Sequence, residues 1–108
     1  MLSGAKACIF CKIITGEIPC TKVYEDDDVL AFLDAKPINP GHTLVVPKRH
    51  CENLLDCGEK ELNAVMRAVQ KISREKVKNG AAGVKVVCNN GKAAGQIIFH
   101  LHFHVIPF

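Results

Sequence analysis

The 108-residue chain has no tryptophan, a single tyrosine and only 6% aromatic residues. It has no internal repeat and no low-complexity stretch. No apolar run approaches the roughly 18 residues that a membrane-spanning helix needs, so no such span is expected. Excess charge is scarce as well. Fourteen Lys and Arg against eleven Asp and Glu leave a net +3. That is too weak to argue for a nucleic-acid polymer as partner, although it favours a small anionic ligand over a cationic one. The opening MLSGAKACIF lacks the apolar segment of a secretory signal. A cytoplasmic protein is the expectation.

What is present is ordinary globular composition, 48% apolar and 23% charged, which excludes a disordered chain. The length suits one domain over residues 1–108, large enough to bury a core without staples. Six cysteines stand at 8, 11, 20, 51, 57 and 88. With no signal segment, reduced thiols are expected, some of them open to a metal.

Short β-prone runs dominate: Lys22–Tyr24, Val29–Leu33, Thr43–Val46, Val84–Cys88 and a longer one over Ile97–Ile106. The acidic stretch Glu25-Asp26-Asp27-Asp28 reads as a hairpin turn. Leu62, Val65, Met66, Val69 and Ile72 form one helical stripe. Asp56 with Glu59 resembles a capping box, and Asn79-Gly80 is a stop signal. A shorter helix is expected over Ile9–Gly16. Strands around one long helix argue for an α+β fold with a mostly antiparallel sheet and one crossover.

Three features carry chemistry. In His100-Leu101-His102-Phe103-His104 a regular strand would put the three imidazoles on one face and the apolar residues on the other. Such a row suits metal binding. It suits equally a neutral imidazole attacking phosphorus while its neighbours bind phosphate oxygens. Spacing alone does not decide. Cys8-Ile9-Phe10-Cys11 has the spacing of half a tetrahedral zinc site, which His50 and one triad histidine are available to complete; a redox pair and plain thiols are the alternatives. The glycine-bearing stretch Asn89-Asn90-Gly91 to Ala94-Gly95-Gln96 can bring backbone amides to a phosphate. Asp34, ending the second strand, suits ribose hydroxyls. A catalytic zinc hydrolase is disfavoured, since no carboxylate lies near the triad in sequence.

Together, CIFCKIITGEIP, VYEDDDVLAFLD, GHTLVVPKRH, NNG, AGQ and HLHFHVIP resemble the histidine-triad (HIT) family, in its Hint-like nucleoside-phosphoramidate hydrolase branch. The resemblance implies a five-stranded antiparallel sheet with one long and one short helix, and two subunits joining their sheets in a homodimer. It implies a purine nucleotide (AMP-like) ligand and His102 as the nucleophile that forms a nucleotidyl-histidine intermediate. His104 would bind phosphate, and His42 would support His102 from nearby. Asp34 would take the ribose, Asn89 and Gln96 the phosphate side, and Ile9, Phe10, Ile13, Phe32 and Leu44 the base. Some relatives hold a structural zinc, which here would fall to Cys8, Cys11, His50 and His100. The expected activity is cleavage of AMP-amine phosphoramidates. A zinc-stabilised nucleotide-binding protein with low turnover and a dinucleoside polyphosphate hydrolase are the alternatives.

Two departures from the family pattern stand out. Ile97 occupies a position where relatives commonly carry a serine or threonine that helps protonate the leaving group. If a bend at Gln96–Ile97 turns that position toward the phosphate, the missing hydroxyl slows release of basic amines. The chain also ends at Phe108, where relatives continue as a tail.

Overall fold

The computed structural model describes residues 8–108. The elements are α1 (Ile9–Ile14), β1 (Lys22–Glu25), β2 (Val29–Leu33), β3 (Thr43–Pro47), α2 (Glu59–Lys78), β4 (Val84–Val87) and β5 (Phe103–Pro107). A short 3₁₀ turn covers Lys92–Ala94. The strands form one five-stranded sheet in the order β1-β2-β3-β5-β4, and every neighbouring pair is antiparallel. The expected α+β architecture, with its one long and one short helix, is the observed one.

The β1–β2 hairpin follows from Asp26. Its Oδ1 accepts the backbone N–H groups of Asp28 and Val29 at 2.8 Å each, and the Tyr24 hydroxyl donates to Oδ2 at 2.6 Å. An aspartate that caps its own turn in this way fixes the reversal without glycine. From β3 the chain crosses through α2 to β4. Since β3 and β4 are each antiparallel to β5, they run parallel to each other, which a hairpin cannot connect.

Two apolar layers sandwich the sheet. On one face Val29, Ala31, Val45, Leu101, Phe103 and Val105 meet Ala64, Val65, Ala68, Val69 and Ile72 of α2. The buried side of α2 therefore follows the expected stripe, except that Met66 is 41% exposed. On the other face Leu30, Phe32, Leu44 and Val46 pack with Cys8 and Phe10 at α1. β2 and β3 are covered on both sides, so they read as continuous apolar runs rather than alternating ones.

Two expectations need correction. The last strand begins at Phe103 instead of Ile97, so His100 and His102 precede it. The ladders explain this. β5 pairs with β3 only over Phe103–Val105 and with β4 only over His104–Pro107, and the pairing partners run out before His102. The alternating pattern continues past the end of the hydrogen-bonded strand. Asp56 also fails to cap α2, whose N-cap is Gly58 with no side-chain bond. The Asp56 carboxylate accepts instead from the N–H groups of Glu52 and Asn53, at 3.1 and 3.0 Å, and closes the loop before the helix.

Candidate functional site

His102 and His104 sit where β5 begins, ring centroids 5.0 Å apart, with His42 from the turn before β3 5.1 Å from His104. The hydrogen bonds assign a tautomer to each ring. His102 donates Nδ1–H to the carbonyl of His100 at 2.8 Å, which leaves the Nε2 lone pair free. The backbone N–H of Ile38 donates to Nδ1 of His42 at 3.1 Å, so the His42 ring proton lies on Nε2. That Nε2–H donates to Nδ1 of His104 at 3.0 Å. The His104 proton is thereby placed on its own Nε2. One backbone amide thus fixes two rings in series, and the outcome is a free imidazole lone pair beside a ring N–H donor.

Burial pushes the His102 pKa down, with its bond to the His100 carbonyl and the Asp34 carboxylate opposing the shift. Burial also lowers that of His104, helped by His102 and His42 and opposed by Asp34. Both rings therefore stay neutral at pH 7, as a nitrogen nucleophile requires.

Asp34 brings a carboxylate to the triad that sequence proximity does not show. Its Oδ2 is 3.4 Å from His42 Nε2, while Oδ1 accepts the Lys36 N–H at 2.9 Å. Asp34, His42 and His104 converge closely enough to suggest a metal site. The tautomers argue against it, because His42 Nε2 carries a proton and offers no lone pair. His42, expected to support His102, acts on His104 instead.

The apolar residues divide. Phe10 is buried and stands edge-on to His102, centroids 5.1 Å apart at 84°, and to Phe32 at 5.6 Å. Phe32 and Leu44 are also buried. Ile13 is half-buried and Ile9 is 44% exposed. Phe10 thus walls the triad, while Phe32 and Leu44 belong to the core beneath it.

The loop before the triad holds its shape through Gln96. This side chain is buried, and its amide engages four partners. Nε2–H₂ donates to the carbonyls of Glu52 at 2.6 Å and Ile98 at 3.0 Å. Oε1 accepts from Asn53 Nδ2 at 3.1 Å and from the Gly91 N–H at 2.9 Å. Every donor and one lone pair for each of two bonds is taken, so Gln96 straps the loop. Asn89 is half-buried and leans toward Gly95, and no side-chain hydrogen bond engages its amide among the described residues. Gly95 adopts a positive φ of 93°, a turn just before Gln96–Ile97. Ile97 itself is 88% exposed.

Behind the triad lies a second cluster. Cys8 and Cys11 at the start of α1, His50 after β3 and His100 bring four ligand atoms together. Cys8 Sγ is 3.3 Å and Cys11 Sγ 3.5 Å from His100 Nδ1; His50 Nδ1 is 3.3 Å from Cys11 Sγ and 3.2 Å from His100 Nδ1. Tetrahedral zinc, with Zn–N of about 2.0–2.1 Å and Zn–S of about 2.3 Å, sets its ligand atoms roughly 3.3–3.8 Å apart. These four separations fit within a few tenths of an ångström, and all four ligand atoms lie within 4.8 Å of one another. His100 donates Nε2–H to the Pro47 carbonyl at 2.8 Å, which turns the Nδ1 lone pair into the cluster. Burial pushes the Cys11 thiol up to about 12 and His100 down to about 4. The set is compatible with a zinc ion whose four positions are all filled by protein.

Comparison with known proteins agrees with this geometry. The family model described as HIT domain matches residues 15–108. An uncharacterized HIT-like protein of Methanocaldococcus jannaschii is 53% identical over 93% of this chain and 78% of its own length. An adenylylsulfatase of Arabidopsis thaliana is 46% identical, covering 93% of this chain and 51% of the plant protein. The crystal structure of a Zn-bound histidine triad family protein from Mycobacterium smegmatis superposes with a TM-score of 0.91 at 38% identity, over 95% of this chain and 76% of that one.

Proposed function

The chain belongs to the histidine-triad (HIT) family, and on that premise we propose that it hydrolyses purine nucleoside phosphoramidates of the AMP-amine type. Nucleotide binding and hydrolysis is the general function that membership supports. The observation that carries the finer reading is the tautomer pair: a neutral His102 with its Nε2 lone pair free, beside a His104 whose Nε2–H is oriented by His42.

The chemistry follows from those protons. His102 Nε2 attacks the α-phosphorus, the P–N bond breaks, and the amine leaves after taking a proton. The Nδ1–H···O=C bond to His100 stabilises the positive charge that develops on the ring. His104 Nε2–H donates to a phosphate oxygen. Water then attacks the nucleotidyl-histidine, P–N(His) breaks, and AMP leaves. Asp34 takes the ribose hydroxyls through its carboxylate, and Asn89 offers its free amide to the phosphate. Phe10 closes the site beside the base.

Zinc is part of the proposal, held by Cys8, Cys11, His50 and His100 and purely structural. It would tie α1 to the segment that leads into the triad. Assembly into a homodimer in the cytoplasm is also proposed. β4 is an open sheet edge, its Val86 is 43% exposed, and Met66 and Val77 of α2 are exposed too. Unpaired edges with apolar side chains favour a second strand.

A second reading concerns the leaving group. Ile97 has no proton to give. Mixed anhydrides such as an adenylyl sulfate expel an anion that needs none, and a 46% identical relative is named an adenylylsulfatase. The test is a fluorogenic adenosine phosphoramidate beside an AMP titration, with His102→Asn as control. Turnover that vanishes in the variant while AMP affinity stays within several-fold supports the nucleophile. AMP binding without turnover in the native chain refutes the phosphoramidate reading.

A further inference from the structure

The loop between β3 and α2 holds two thiols that the triad and the four-ligand cluster do not use. Cys51 is buried in the α2 face of the core, and Cys57, half-buried, packs against the same cluster, close enough to add to the rise that burial imposes on the Cys51 thiol. The chain between them is a closed loop. Asp56 accepts from the N–H groups of Glu52 and Asn53, and Asn53 Oδ1 accepts from the Leu55 N–H at 2.9 Å. A cavity of about 330 Å³ opens at Cys51, lined by Arg49, His50, Asp56 and Glu61.

We propose that Cys51 and Cys57 form an oxidisable dithiol, which a hydroperoxide converts reversibly to a disulfide, weakening metal retention at the neighbouring His50. Cys57, the more exposed sulfur, attacks the peroxide. The O–O bond breaks, water or an alcohol leaves, and Cys57 becomes a sulfenic acid. Cys51 then attacks that sulfur. The S–S bond forms, S–O breaks, and water leaves with the Cys51 proton. Two electrons pass from the two thiols to the peroxide, and a dithiol reductant reverses the step by exchange.

The mechanical consequence lies in what the loop holds. The Cys51 carbonyl accepts the Leu101 N–H at 2.8 Å, between two triad histidines. The Glu52 carbonyl and the Asn53 amide both hold Gln96. His50 directly precedes Cys51. Pulling Cys51 toward Cys57 therefore displaces the segment that positions one metal ligand and braces the triad loop. This consequence rests on the zinc reading above; disulfide formation does not.

Trypsin cuts after Arg49 and after Lys60, so a single peptide, residues 50–60, contains both thiols. The zinc-supplemented full chain is treated with hydrogen peroxide, blocked with iodoacetamide, digested and weighed. The expected result is a 50–60 peptide lighter than its reduced, unblocked form by two hydrogen atoms, restored by dithiothreitol and absent in Cys57→Ser. In the oxidised chain, competition with a chromophoric chelator should show zinc affinity ~10-fold or more below that of the reduced chain, the scale of disturbing the groups that orient a metal's ligands. A 50–60 peptide that stays doubly alkylated, or a link from either thiol to Cys88, overturns the dithiol. A mapped disulfide with unchanged zinc affinity overturns the coupling to His50. A reduced chain that binds no zinc rejects the zinc reading and the coupling with it, and the peptide mass still decides the dithiol.

Discussion

Replacing Gln96 with methionine keeps the length and most of the volume of the side chain while removing its polar end. In the native chain that end makes four hydrogen bonds, to Glu52, Ile98, Asn53 and Gly91. At a net ~0.5–1.5 kcal/mol per bond, their loss would cost about 4 kcal/mol. Three of the partners are less deeply buried: Glu52 is exposed and Gly91 and Ile98 are half-buried, so water can replace part of what they lose. Asn53 is buried and cannot be served so easily. The expected loss is therefore about 2–3 kcal/mol. With a urea m-value near ~1–1.5 kcal/mol/M for a chain of this size, the midpoint should fall by about 2 M, with m itself unchanged. AMP affinity measured well below the midpoint should weaken only modestly, because the amide is engaged by protein. A midpoint within about 0.5 M of the native one, combined with a large loss of AMP affinity, would refute the strap and return Gln96 to the substrate.

Zinc should accompany the protein in stoichiometric amount when no metal is added, and a chelator should lower the melting temperature; elemental analysis near zero with no change on chelation would reject the site. Ile97→Ser should leave stability within about 0.5 kcal/mol, since the side chain is largely in solvent. It should raise the rate for basic amine leaving groups by ~10-fold or more while leaving anionic leaving groups nearly untouched; equal effects on both, in parallel kinetic assays, contradict the proton argument. Sedimentation at micromolar concentration should give twice the 11.8 kDa chain mass, and a persistent monomer would contradict the sheet-edge dimer.

The parts of the fold that were legible in sequence are those governed by local chemistry. The turn at Asp26, the stripe from Leu62 to Ile72 and the doubly covered β2 and β3 all announce themselves through residues within a few positions of one another. The triad and Cys8-Ile9-Phe10-Cys11 are equally visible as spacings. What eluded the sequence depends on partners far along the chain. Asn53 looks like any loop asparagine, and its role exists only because Gln96, 43 residues later, reaches back to it. The start of β5 is set by where β3 and β4 stop pairing, which no alternation within residues 97–106 records. Asp34 approaches His42 and His104 only because β2, β3 and β5 are consecutive in the sheet. The row of histidines also conceals a division of labour. Ring proton positions, dictated by the carbonyls of Pro47 and His100 and by the amide of Ile38, assign His100 to the four-ligand cluster and leave His102 and His104 to the proposed nucleotide site.

The strand order also bears on how the molecule comes into being. β3 and β4 are both made before β5, yet β5 lies between them. Until residues 103–107 arrive, a slot about 10 Å wide, two inter-strand spacings, separates the edges they must bridge. Until that segment is made the sheet has two extra unpaired edges, and Cys8, Cys11 and His50 wait for His100. Both centres are then completed by one late, long-range insertion, the kind of step that non-local pairing makes slow and exposes to association with other chains. Any lesion confined to residues 100–108 should thus leave most of the helix and hairpins able to form, while removing the triad and the four-ligand cluster together.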